Sequence, residues 1–162
     1  MTALVFPGQG SQFIGMARDF HDEFEIAKET FEIIENSVKI NLRDIIFHNK
    51  SELLNITKYT QLAIFSSSMS IFNVLKHEID INKLSINYSL GHSLGEYSAL
   101  TASKVISIED CSMLLKIRGE LMQNAFEENM SGMVAIIGLD CIQVEKIISD
   151  NKLKVEVAND NS

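Results

Sequence analysis

Apolar and polar residues change rhythm along this chain, and each change predicts an element. Residues 3–6, Ala-Leu-Val-Phe, form a short apolar run closed by Pro7 and Gly8, the pattern of a buried strand ending in a tight loop. From 13 to 38, Phe20, Phe24, Ala27, Phe31 and Ile34 recur at three- and four-residue steps, which predicts one long helix. A short helix is expected over 41–48 and a longer one over 57–79, with Leu62, Phe65, Met69 and Phe72 on one face. Residues 84–90 read as a second buried strand, although Asn87 and Ser89 interrupt it. A helix follows over 95–103. Ser107, with Asp110 three residues on, resembles a capping box that opens a helix to about Phe126. Strands separated by helices imply a parallel, buried sheet.

The texture shifts near the stretch EENMSG. Residues 132–139 read as a strand. Asp140 and Gln143 sit at the capping-box offset before a helix carrying Val144, Ile147 and Ile148, and 153–157 reads as another strand. That βαβ unit is expected to begin a smaller subdomain. The predicted organisation is therefore an α/β core in 1–126 and the front half of a second subdomain in 130–162.

The length of 162 residues suits such a layout, and 46% hydrophobic with 22% charged residues is a globular composition. The net charge of −8 argues against non-specific nucleic-acid binding. The most apolar stretch, 62–75, is interrupted by Ser66, Ser67, Ser68 and Ser70, too polar and short to span a bilayer. The first residues lack a basic and then apolar leader pattern. Cys111 and Cys141 stand apart, with no metal-ligand spacing, and read as small buried hydrophobes of a reducing cytoplasm. No metal site is expected.

Three stretches carry candidate chemistry. In GHSLG, Ser93 lies between Gly91 and Gly95, after a predicted strand and before a predicted helix. This is the arrangement of a nucleophile elbow. The serine projects from a strained bend, which small neighbours tolerate, and the new helix turns its unpaired N–H groups toward developing negative charge. A plain turn is the alternative. The loop FPGQGSQ, residues 6–12, follows the other strand, so in a parallel sheet both loops reach the same end. It lacks the GK[ST] of a nucleotide-binding P-loop. In KIRGELMQ, Arg118 lies three or four residues from Leu114, Leu115, Leu121 and Met122. A guanidinium beside an apolar stripe must reach solvent, pair structurally or meet an anion. Next to a nucleophilic serine it would suit a substrate carboxylate.

Taken in order, FPGQGSQ, GHSLGEYSAL and RGELMQ resemble the malonyl-CoA:acyl carrier protein transacylases of fatty acid synthesis, as do GMVAIIGL and VEVANDNS further on. The resemblance covers essentially the whole chain. It implies an α/β-hydrolase-like parallel core with an inserted ferredoxin-like small subdomain, both incomplete within these residues. It implies that Ser93 carries a malonyl group from coenzyme A to the phosphopantetheine thiol of acyl carrier protein, in the cytoplasm, with no cofactor, metal, nucleic acid or membrane. Gln12 and Leu94 would give backbone N–H groups to an oxyanion hole, and Arg118 would pair with the malonyl carboxylate. Gln61 matches a family glutamine near the site, although Leu62 stands where the family usually has proline.

The family's general-base histidine maps onto none of the four histidines and is expected beyond residue 162, which makes this chain the front part of a longer enzyme and inactive alone. His21, His48 and His77 read as solvated surface residues, and His92 as a packing or hydrogen-bonding residue of the elbow. Two other readings stay open: a serine esterase or patatin-like hydrolase, and a non-catalytic carrier-binding fragment.

Overall fold

The computed structural model describes residues 2–49, 51–79, 81–125, 130 and 132–161. The chain divides into two compact units, Met1–Phe126 and Glu127–Ser162. The first holds strand β1 (Thr2–Phe6), helices α1 (Arg18–Glu23), α2 (Glu25–Val38), α3 (Leu42–Phe47) and α4 (Thr57–Glu78), strand β2 (Ile86–Gly91), and helices α5 (Leu94–Ala102) and α6 (Ile108–Gln123). The second holds α7 (Cys141–Asp150). The class is α/β, mostly helical, with a small parallel sheet.

β1 and β2 pair in parallel, Leu4 opposite Ser89, Val5 opposite Leu90 and Phe6 opposite Gly91. Two parallel neighbours end at the same edge, so the loops after Phe6 and Gly91 are brought together. His92 N–H donates to the Phe6 carbonyl at 3.4 Å, extending the pairing into the serine turn. The strands are not buried as the apolar pattern suggests. Val5, Tyr88 and Leu90 are exposed, because the helices cover only part of the sheet.

The core forms between α2, α3, α4, α5 and α6. Phe31, Ile34, Leu42, Ile46, Leu62 and Phe65 are fully buried in it. α4 is buried on nearly all sides, and Ser67 Oγ and Ser70 Oγ are buried in it with no hydrogen-bond partner among the described residues. Ser66 Oγ donates to the Leu62 carbonyl at 2.7 Å, and Thr60 Oγ1 to the Leu54 carbonyl at 2.6 Å, so these hydroxyls are satisfied without solvent. Gly119 lets α6 lie directly on α4, since a Cβ there would stand 2.8 Å from Lys58 Cα.

Further expectations need correction. The helix predicted over 13–38 starts only at Arg18, after a turn over 14–17, and is two helices, because Phe24 adopts an extended backbone (φ −119°, ψ 125°) between α1 and α2. Apolar periodicity survives such a bend and cannot reveal it. His21 is not a solvated residue: its ring packs edge-on against Phe31 and Phe47, with centroids 5.8 and 5.1 Å away. The apolar stripe proposed for α6 is not its core face. Leu114, Leu121 and Met122 are exposed, and Cys111, Ser112, Leu115 and Gly119 are the buried positions. The strands expected over 132–139 and 153–157 are absent among the described residues. A strand exists only through a hydrogen-bonded neighbour, and neither segment has one. Their side chains, including Val134 and Ile137, are exposed.

The caps read from sequence are present. Ser107 caps α6 by accepting from Asp110 N–H, and Asn41, not singled out from sequence, caps α3 by accepting from Asp44 N–H. Asp140 and Gln143 form a full capping box at α7. The stretch EENMSG lies mostly outside the described residues. Cys141, read from sequence as buried, is only partly so. No helix among the described residues is long and apolar enough to cross a membrane, and no group of three or more possible metal ligands occurs among them.

Candidate active site

Ser93 sits at the turn between β2 and α5 with φ 55° and ψ −110°. That is neither right-handed nor left-handed helical backbone, and a non-glycine residue adopts it only under constraint. The two glycines of the pentad are that constraint. A Cβ on Gly91 would lie 2.1 Å from the Gly95 carbonyl carbon, and one on Gly95 would lie 2.3 Å from the Phe6 oxygen. Strand, turn and helix can therefore close on each other only with hydrogen at both positions. Ser93 is exposed at the tip while Leu94 and Gly95 behind it are buried.

Arg118 reaches this serine from α6. Its Nη2 donates to Ser93 Oγ at 2.9 Å, and its Nη1 donates to Gln61 Oε1 on α4. Gln61 is fully buried, and its other amide end donates to Met122 Sδ at 3.2 Å. Both ends of the amide are thus engaged, which fixes its oxygen toward the guanidinium. The Arg118 Cζ also lies 5.6 Å from the centroid of the Tyr97 ring. No carboxylate pairs with Arg118 among the described residues. A half-buried guanidinium held by neutral groups keeps its positive charge uncompensated, and its unused N–H groups suit an incoming anion.

The loop after β1 is anchored by its own glutamines. Gln12 Oε1 accepts from Gly10 N–H at 2.8 Å, and Gln12 Nε2 donates to Asn55 Oδ1 at 3.1 Å. Gln9 Nε2 donates to Thr57 Oγ1 at 3.4 Å. These bonds tie the loop to the start of α4. Gly8 faces the serine turn, where a Cβ would stand 2.6 Å from the His92 oxygen. The backbone N–H groups of Gln12 and Leu94 have no acceptor among the described residues, so both remain available as donors.

The structure brings Ser93, Arg118 and Gln61 into direct contact, with Leu94 adjoining the serine. His92 is exposed and makes no side-chain hydrogen bond to Ser93 among the described residues. His48 and His77 are exposed, and His77 Nδ1 lies 2.8 Å from Glu78 Oε1. Two contributors escaped the reading of the sequence. Tyr97 lies four residues after Ser93 and Met122 four after Arg118, each one turn along its helix on the same face. That spacing was the available signal.

Residues 3–162 match the family model described as acyl transferase domain. The malonyl CoA-acyl carrier protein transacylase of Staphylococcus aureus (strain MRSA252) is 36% identical over 164 residues, which cover 99% of this chain and 51% of that protein. The crystal structure of an acyl-carrier-protein-S-malonyltransferase from Bartonella henselae superimposes with a TM-score of 0.90 at 38% identity, covering 100% of this chain and 52% of that one. A malonyl-transacylase in complex with its type II PKS acyl-carrier protein gives a TM-score of 0.82 at 35% identity, with coverages of 91% and 47%. The chain spans about half the length of the curated relatives it matches. With the family model matching nearly its whole length, the chain belongs to the acyl transferase domain family.

Proposed function

We propose that this chain carries the nucleophile and acid-recognition half of a malonyl-CoA:acyl carrier protein transacylase. The observation that carries the reading is the contact between Ser93 Oγ and an arginine with no carboxylate partner among the described residues. A charged clamp beside the nucleophile favours an acyl group that ends in a free carboxylate. It disfavours the neutral tail of an esterase or lipase substrate.

In the proposed reaction the malonyl carboxylate takes the unused edge of Arg118, which draws the guanidinium off the serine. Ser93 Oγ then attacks the thioester carbonyl, and the tetrahedral oxyanion forms facing the backbone N–H groups of Gln12 and Leu94. Coenzyme A leaves as the thiol, and Ser93 holds a malonyl ester. The phosphopantetheine thiol of acyl carrier protein attacks that ester, and the serine hydroxyl is restored. None of the four histidines is assigned as the base that moves these protons; a histidine outside these 162 residues would take that part. No cofactor or metal is needed for this chemistry, and the setting would be cytoplasmic. The parallel pair β1 and β2 would belong to an α/β-hydrolase-like core formed by 1–126, and 130–162 to a ferredoxin-like small subdomain.

The protein expressed from its own gene tests this. Exposure to malonyl-CoA should add one malonyl group by intact mass, and Ser93→Ala should remove it. The adduct should pass to a carrier thiol faster than to water. An adduct that persists in Ser93→Ala, or discharges only to water, would overturn the reading.

A further inference from the structure

We propose that Tyr97 is a positioning residue that sets Arg118 for carboxylate recognition. This rests on the reading of Arg118 as the partner of a substrate carboxylate. Tyr97 stands one turn after Ser93 on α5, so its ring and the nucleophile share a helix face. The Arg118 Cζ lies 5.6 Å from the ring centroid, within the roughly 6 Å over which an aromatic face attracts a cation. The ring is partly buried and packed against the core. Its backbone carbonyl also takes the Thr101 hydroxyl at 2.9 Å and the Cys111 thiol at 3.7 Å, which ties its helix turn to α6.

The three contacts on Arg118 differ in what they consume. Gln61 and Ser93 each take an N–H, whereas an aromatic ring takes none. When a carboxylate displaces the serine, one hydrogen-bond restraint on the guanidinium is lost. The ring contact remains and keeps the guanidinium in place while its remaining N–H groups turn to the carboxylate. The Tyr97 hydroxyl has no hydrogen-bond partner among the described residues, so the ring and not the oxygen performs this task.

The test compares Tyr97→Phe and Tyr97→Leu with Arg118→Ala in the protein expressed from its own gene, measuring kcat/KM with malonyl and with acetyl donors. The ratio of the two is independent of the fraction of folded enzyme. Tyr97→Leu should lower the malonyl-to-acetyl ratio about 3- to 30-fold, mainly through a raised malonyl KM. Tyr97→Phe should stay within about twofold of the parent. An unchanged ratio in Tyr97→Leu, with the ratio collapsed in Arg118→Ala, overturns the role of Tyr97 alone. An unchanged ratio in Arg118→Ala overturns the underlying reading of the arginine. A Tyr97→Phe ratio as low as that of Tyr97→Leu assigns the effect to the hydroxyl and overturns the proposal.

Discussion

Arg118 Nη2 donates to Ser93 Oγ at 2.9 Å, so the cation proposed to bind a substrate acid also occupies a lone pair of the proposed nucleophile. On the proposed function, one residue thereby couples recognition to reactivity. Removing the guanidinium should have opposite effects on acids and on neutral acyl groups. A desolvated bidentate pair with a carboxylate contributes about 2–4 kcal/mol. Arg118→Ala should therefore lower malonyl transfer roughly 30- to 1000-fold. Acetyl transfer should hold or improve, because the lone pair is released. Parallel kinetics with the two donors check this, and equal losses would mark the arginine as structural.

Gln61 offers a subtler perturbation. Its Oε1 accepts from Arg118 inside a fully buried environment. Gln61→Glu keeps the shape but puts a carboxylate where a neutral oxygen stood. Once ionised, that carboxylate would satisfy the arginine internally and compete with the substrate acid. Malonyl transfer should fall by about 10- to 100-fold with acetyl transfer largely retained. A variant that binds malonyl donors as well as the parent would show that Gln61 does not tune the guanidinium.

The elbow predicts a stability effect that can be separated from catalysis. A Cβ at Gly95 would meet the Phe6 and Pro7 oxygens at 2.3 and 2.9 Å, both backbone atoms that cannot swing aside. Gly95→Ala should lower stability by about 2–4 kcal/mol. A Cβ at Gly132 would meet nothing within 4 Å, and Gly132→Ala should stay within about 0.5 kcal/mol of the parent. Urea unfolding of both variants measures the difference. A Gly95→Ala protein as stable as the parent would mean that strand and helix can separate at little cost.

These residues also show what the sequence could carry. The serine pentad was legible because its chemistry is local: two glycines, a strand before and a helix after are all contiguous. The caps at Ser107 and Asp140 were legible for the same reason. The stripe of leucines around Arg118 is largely exposed and could not place it, and only the family resemblance set it at the serine. Its contacts with Gln61 and Ser93 span 57 and 25 residues of chain, and only packing brings them together. The bend at Phe24 and the burial of His21 escaped because periodicity records which side faces the core and not where the axis turns. The two missing strands beyond residue 130 escaped because alternation records a tendency to pair, while a strand also needs a neighbour.

The two thiols give a final test, one of packing rather than of catalysis. Cys111 is fully buried on α6, its Sγ directed at the Tyr97 carbonyl 3.7 Å away, and burial pushes its pKa up from the ordinary thiol value. Cys141 is only partly buried. Its thiol is also held up, by desolvation and then by neighbouring carboxylates such as Glu145, so access rather than acidity separates the two. A disulfide reagent acting on thiolates should therefore modify Cys141 in the native protein, and Cys111 only after unfolding. The shift at Cys111 has a consequence for stability. Below the free thiol's pKa of about 8.5, both folded and unfolded states keep the Cys111 proton. Above it the unfolded chain loses the proton while the folded chain retains it, so this contribution to stability falls as pH rises from about 8 toward 10. Peptide mapping after labelling identifies the modified residue, and urea midpoints across that pH range give the slope. Native labelling of Cys111 as fast as Cys141 would mean that the contact between α5 and α6 opens readily, and the positions of Tyr97 and Arg118 would then be no firmer than that contact.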